Sequence, residues 1–397
     1  MSIASYLPSL ASVTLSIPPI AALVLSHLVA LSPSTDILKR PPYYTDLCTL
    51  SLVSRAFRSA AVPHFHARIL FNGGARQQRQ WLRAQSSLRP RGVEVETKLV
   101  VLLDERPFRL AEEGEEGEEG RAKWSRPVLR EVCSRLRGVK ELWVAWWLAK
   151  EFPVKCLEGQ NWKDLVYLRL DCPLSPPPSS NFELPFRLEV LTCSDAPSSP
   201  LSRSWFPTFS LLAPTLHHIP TTLNLAPFRH FLYEPFLSPS YLLPSASSLA
   251  VLSLPSLTLN PSSYNLALFA LCCPSLEELS LHPPITAEAI LELLPYFSAP
   301  PLKRLSLSGL EGVLGAGIVH PLLLQATDPV NALCDVLKTW PAYCEGGLET
   351  VEVRRLRVVT GPGCLPHLRL IEMRRQKGFW VEYSFDERYD PGLTEEE

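Results

Sequence analysis

Net charge is almost missing from this sequence: 38 Lys and Arg stand against 40 Asp and Glu, a formal −2 over 397 residues. A chain built mainly to coat nucleic acid would carry a basic domain, so that class is set aside. Long apolar runs are missing too. No stretch reaches the ~18 apolar residues of a spanning helix, and no membrane segment is expected. The first 35 residues hold no charged side chain, His27 aside, and no Lys or Arg precedes Lys39. Pro18-Pro19 breaks the apolar run, so a secretory leader is not expected either. None of the ten cysteines lies in a C-x-x-C pair. They read as reduced, buried residues of a cytoplasmic or nuclear protein.

Catalytic signatures are also lacking. No G-x-S-x-G elbow, P-loop or H-E-x-x-H occurs, so no enzymatic role is expected. The glycines from Gly309 to Gly317 lack both the dinucleotide order and the Lys-Ser/Thr of a phosphate cradle, and read as a turn. His64 with His66, and His217 with His218, are only pairs. No metal and no cofactor is expected.

What is present is a core-forming composition, 46% hydrophobic and 20% charged, with 39 prolines. Prolines at this density favour many short elements joined by turns. From Ile20, apolar residues at Leu23, Val24, Leu28 and Leu31 give a helical stripe that also carries His27. Thr45 or Asp46 can cap a second helix through Leu47, Leu50, Val53 and Phe57, running on through Ala60 and Ala61 to Pro63. The expectation is a small three-helix cluster.

These residues resemble an F-box. The resemblance runs over Ile17-Pro18, the first apolar helix, the stretch from Asp46 to Arg58 with Leu50-Ser51-Leu52-Val53-Ser54-Arg55-Ala56-Phe57-Arg58 at its centre, then Val62-Pro63-His64-Phe65 and Ile69. It departs from the family in having Ile-Pro for Leu-Pro and a long Pro-rich connection between the first two helices. The resemblance implies docking on a Skp-type adaptor of a cullin ubiquitin ligase. The adaptor-binding residues it implies are Ile17, Pro18, Ile20, Leu28, Leu50, Leu52, Val53 and Phe57.

Beyond the bundle, Arg55 to Arg91 contains eight Arg and no acidic residue. It lacks the interleaved aromatics of a stacking platform and reads as a wet helix face, so no nucleic-acid partner is expected. Glu112 to Gly120 is a self-repelling, solvated run.

A unit L-x-x-L-x-L then recurs. It appears as Leu165-Leu168-Leu170, Leu249-Leu252-Leu254, Leu276-Leu279-Leu281 and Leu302-Leu305-Leu307. Weaker copies start at Val139, Leu188, Leu348 and Leu368, and one more degenerate copy can fall at Phe228-Phe231-Tyr233. Most steps lie in the 20–29 residue period of leucine-rich repeats. Between copies, Thr286 caps a helix through Ile290 to Phe297, and Asp328-Pro329 opens another through Trp340. The stretch Cys272-Cys273-Pro274-Ser275-Leu276 to Leu281 resembles the cysteine-containing repeats behind F-boxes. The chain as a whole is similar to F-box proteins with C-terminal leucine-rich repeats of the fungal type.

The expected fold is α/β: a three-helix F-box-like bundle, then an irregular leucine-rich-repeat solenoid of parallel sheet and short helices. The expected divisions are an N-terminal segment 1–16, the bundle 17–70, a basic then acidic linker 71–125, the solenoid 126–378 and a tail 379–397. Strand alternation turns one set of residues outward: Trp143, Tyr167, Arg169, Asp171, Glu278, His282, Arg304, Glu352, Arg354 and, with Glu372, Arg374. This face is the expected site for a protein substrate, with a Skp-type adaptor and cullin core as the other partners. The alternative is a non-catalytic repeat scaffold that recruits no ligase.

Overall fold

In the computed structural model the described residues are 18–31, 43–71, 75–88, 97–103, 126–145, 151–179, 182–194, 205–216, 221–225, 247–258, 263–298, 301–310, 329–356 and 365–385. They fall into two units, Met1–Ala145 with Gly159–Leu165, and Trp146–Glu158 with Val166–Glu397. Ile17, the acidic run, Asp328 and the Phe228 copy lie outside the described residues.

The first unit opens with helices α1 (Pro18–Leu31), α2 (Tyr43–Val53) and α3 (Arg55–Ala67). Proline suits the first turn of α1, where a missing N–H costs no intrahelical bond. The single second helix read from the sequence is in fact two. Ser54 takes an extended conformation, and its hydroxyl accepts from the Phe57 amide at 3.2 Å. That cap satisfies an orphan donor and starts α3 afresh. Pro63 does not end α3. Phe65, just beyond it, packs on the core formed by Ala21, Leu25, Leu47, Phe57 and Ala61, so tertiary contact holds the turn after the proline.

The buried side of α1 also differs from the expected stripe. It is Ala21 and Leu25, with Leu28 packed alongside, while Leu23, Val24 and His27 are exposed. A helix that is apolar nearly all round gives periodicity no polar side to exclude.

Strand β1 (Arg68–Phe71) follows α3 directly, then α4 (Ala75–Leu88), β2 (Leu99–Leu103), α5 (Arg126–Arg135) and β3 (Glu141–Ala145). β1, β2 and β3 pair in parallel, with Ile69, Val100 and Leu142 in register. The expected boundary at residue 70 therefore cuts a strand. The expected linker 71–125 contains α4 and β2, whose unbroken Leu-Val-Val-Leu-Leu lacks the repeat signature. Residues 159–165 belong to this unit, where Trp162 is buried and Asn161 Nδ2 donates to the Cys133 carbonyl at 2.6 Å.

The second unit holds β4 (Tyr167–Leu170), β5 (Val190–Cys193), α6 (Trp205–Leu212), β6 (Thr221–Asn224), β7 (Leu249–Leu254) and α7 (Ser263–Leu271). Then come β8 (Glu278–Leu281), α8 (Ala287–Leu293), β9 (Arg304–Ser308), α9 (Pro329–Thr339), β10 (Thr350–Leu356), α10 (Leu365–Lys377) and β11 (Trp380–Phe385). Each strand pairs in parallel with the next in the chain. Leu168, Leu191, Leu223, Leu252, Leu279, Leu305, Val351 and Val381 make one continuous buried row. The result is a solenoid-like α/β array in which each strand buries its leucines between neighbours.

Thr286 caps α8 as expected, accepting from the Ala289 amide at 3.3 Å, and α9 begins at Pro329. The copy at Leu368, however, is helical. Of its positions Met373 is buried and Ile371 half-buried, and buried Leu370 lies one helical turn before Met373, so the Leu368–Ile371 step of the unit is a helical i, i+3 step. Gly378, at φ +81°, ends α10 by donating to the Arg374 carbonyl at 2.9 Å. The strand of that unit is β11, inside the expected tail.

Candidate functional site: exposed helical pairs and an open sheet face

Two surfaces take up the expected site residues, one in each unit. In the first, Leu52 and Val53 at the end of α2 are 77% and 60% exposed, and Leu23 and Val24 on α1 are 61% and 37% exposed. The latter pair belongs to the stripe expected to be buried, and its exposure is a difference from that expectation. Leu28 and Leu50 are half-buried against the bundle core, and Ile20 is half-buried. Phe57, expected on the adaptor surface, is only 1% exposed and belongs to the core. Pro18 is the first residue of α1.

In the second unit, the residues between the buried leucines form rows across the strands. One row runs Tyr167, Val190, Thr222, Val251, Glu278, Arg304, Thr350, Trp380. The next runs Arg169, Thr192, Asn224, Ser253, Ser280, Ser306, Glu352, Glu382. The middle of this second row carries only small hydroxyl and amide side chains, of which Thr192 and Ser306 are buried and Asn224, Ser253 and Ser280 partly exposed; its two ends carry charge.

At the β4 end, Arg169 Nε lies 3.2 Å from Asp171 Oδ1. Asp171 is buried and also accepts from Ser194 Oγ at 2.5 Å, so it holds Arg169 in place and is not itself offered to a partner. Burial, then the Asp171 charge and neighbouring Cys172, push the Cys193 thiol far up. Burial beside Cys272 does the same to Cys273, whose Sγ–H donates to the Phe269 carbonyl. Both behave as small apolar side chains, as the sequence suggested.

At the other end, Glu352 is buried between two exposed arginines. Arg354 Nη2 forms an ion pair with Oε2 at 2.6 Å, and Arg304 Nε lies 3.7 Å from Oε1. Arg304 Nη1 lies 3.8 Å from Glu278 Oε1. His282 Nε2 and Ser253 Oγ share a hydrogen bond of 3.2 Å across two strands. Arg374 is not a strand residue: it reaches the end of the row from α10, its guanidinium 4.1 Å from the ring centroid of exposed Trp380. A cation over an indole face is a favourable contact.

Trp143 departs from the expected set. It lies on β3 of the first unit, is 8% exposed, and stands in register beside Val101, itself paired with Leu70. It packs in a core. Trp380, on β11 inside the expected tail, is an exposed aromatic of this face.

The arrangement suits binding: partly exposed Asn224, Ser253 and Ser280 in the centre, ion pairs and an arginine-stacked tryptophan towards one end. Among the described residues no group of three or more His, Cys, Asp or Glu could hold a metal, and no helix is long and apolar enough to cross a membrane. Compared with known proteins, the chain matches no family model and no curated protein.

Proposed function

We propose that the chain is a substrate receptor of a Skp-cullin-F-box ubiquitin ligase, with an F-box in its first unit and leucine-rich repeats in its second. The observation that carries this reading is the pair of aliphatic doublets, Leu23-Val24 and Leu52-Val53, left exposed on helices that bury Ala21, Leu25, Leu47, Phe57 and Ala61. Exposed apolar residues that cluster favour a contact surface, and Leu52-Val53 falls in the stretch that most resembles an F-box. The receptor needs no nucleophile. It contributes proximity, holding a protein substrate on the open face near the ubiquitin-carrying enzyme.

Co-purification with a Skp-type adaptor tests this. Leu52→Asp with Val53→Asp should abolish adaptor capture while the melting temperature stays near wild type, because exposed substitutions usually change stability by under about 0.5 kcal/mol. Unchanged capture by the folded double variant would remove the receptor reading. A wild-type chain that captures no adaptor is instead a non-catalytic repeat scaffold.

A further inference from the structure

The exposed doublet Leu52-Val53 closes α2, and the residue after it, Ser54, is already extended. Carbonyls in the last turn of a helix have no amide ahead of them in that helix, and a short helix frays from such an end. Two large aliphatics on a fraying turn present no fixed shape to a partner.

Three hydrogen bonds across the break oppose that fraying, and Arg58 supplies two of them. Its Nε donates to the Ser51 carbonyl at 3.3 Å, and its amide donates to the Ser54 carbonyl at 3.0 Å. The third runs from the Phe57 amide to Ser54 Oγ. Ser51 Oγ in turn donates to the Cys48 carbonyl at 2.7 Å, one turn back into α2. Leu52 and Val53 thus lie between two carbonyls, at Ser51 and Ser54, that one residue holds. Arg58 follows Phe57, which is buried in the bundle core, so its backbone is a fixed base. No carboxylate on these helices draws the guanidinium away. Asp46 is the one acidic residue of α1, α2 and α3, and it lies in the first turn of α2, at the opposite end from Ser51. A cation at the last turn of α2 also suits the negative end of the helix dipole.

We infer that Arg58 is a positioning residue for the adaptor contact, holding Leu52-Val53 in the geometry that the adaptor meets. The inference rests on the receptor reading above and adds how the contact is kept in shape. Arg58 acts through the backbone of α2. Arg55 is a matched control: it is exposed one turn earlier on α3, and it makes no hydrogen bond or ion pair among the described residues.

The test uses the full chain and a purified Skp-type adaptor, with two readouts. Amide hydrogen exchange of the free chain reports on the last turn of α2, and the adaptor dissociation constant reports on docking. Arg58→Met keeps the stem and removes the donor. The Leu52 and Val53 amides should then exchange about threefold faster, and the adaptor should bind about threefold more weakly. Arg58→Lys, whose ammonium can still donate to the Ser51 carbonyl, should restore most of both. Arg55→Met should leave the exchange of those two amides at the wild-type rate. Weaker adaptor binding by Arg58→Met without faster exchange would mean that Arg58 touches the adaptor itself, and would overturn the positioning role. Faster exchange with an unchanged dissociation constant would overturn it as well. So would equally faster exchange at Leu25 and Ala61, since Arg58 would then merely stabilise the bundle. A wild-type chain that binds no adaptor removes the receptor reading and this inference together, whereas equal binding by wild type and Arg58→Met removes this inference alone.

Discussion

The strands of the two units share one parallel pairing pattern but differ on their second side, which is apolar in the first unit and polar, with only part of it exposed, in the second. In the second unit the positions between the buried leucines carry Arg169, Thr192, Asn224, Ser253, Ser280 and Ser306. In the first unit the positions of the same parity are Leu70, Val101 and Trp143, and Val101 is wholly buried. A parallel strand covered on both sides becomes an unbroken apolar run, whereas one left open alternates. Trp143 therefore serves the core although its place in the repeat unit matches that of Arg169. Position in a repeat says which way a residue points; the neighbours in register decide whether anything covers it.

A matched pair of substitutions breaks this comparison most sharply. Val101→Asp puts a carboxylate where no water reaches, and should cost the first unit at least ~4 kcal/mol, enough to unfold a marginal domain. Ser280→Asp, of the same parity in the second unit, should cost under about 1 kcal/mol. Amide hydrogen exchange at β1–β3 and at β4–β11 separates the two effects. Comparable losses from both would mean that the second unit's face is covered as well.

Much of this organisation was legible beforehand because leucines on one side of a strand leave a period that turns and helices between them do not erase. Seven of the eight copies named outright lie on strands. The eighth, at Leu368, misled because i, i+3 spacing is common to strand repeat and helix. Arg374, Arg375 and Lys377 followed by Gly378 were the helix-ending signal that distinguishes them. β2 escaped because an all-apolar strand has no alternation, and the exposure of Leu23-Val24 escaped because α1 has hardly any polar side. Of the candidate surface, alternation identified Arg169, Glu278, Arg304, Glu352 and Arg354. Their ion pairs were not legible: Arg304 meets Glu352 only through the register between β9 and β10, whose partners lie 46 residues apart.

The open side of the second unit is polar at a cost, and Glu352 is where that cost concentrates. Its carboxylate is buried and faces Arg304 and Arg354. Arg304→Ala together with Arg354→Ala leaves a buried charge without its counter-ions, and should destabilise the array by about 1–3 kcal/mol. Adding Glu352→Gln to that double variant should recover more than half of the loss in urea unfolding. No loss from the double variant would mean that water already reaches this carboxylate, which would place Glu352 with the exposed residues of the row.

The smallest expected effect separates the units by pH. His64 on α3 is half-buried, and burial, then the Lys98 charge at the entrance to β2, hold its pKa below the ordinary 6.5. In the folded state the imidazole thus resists protonation more than in the unfolded chain. Between its folded value and 6.5 the unfolded chain binds more protons, so stability rises with pH across that window. The first unit should be at full stability above pH 6.5 and should lose stability as pH falls through 6.5. The loss should level off below the folded pKa. His64→Gln should flatten this slope in the exchange of β1 and β2 amides, and Lys98→Met should reduce it without abolishing it, since burial is the larger cause. A slope that survives His64→Gln would assign the titration to another group.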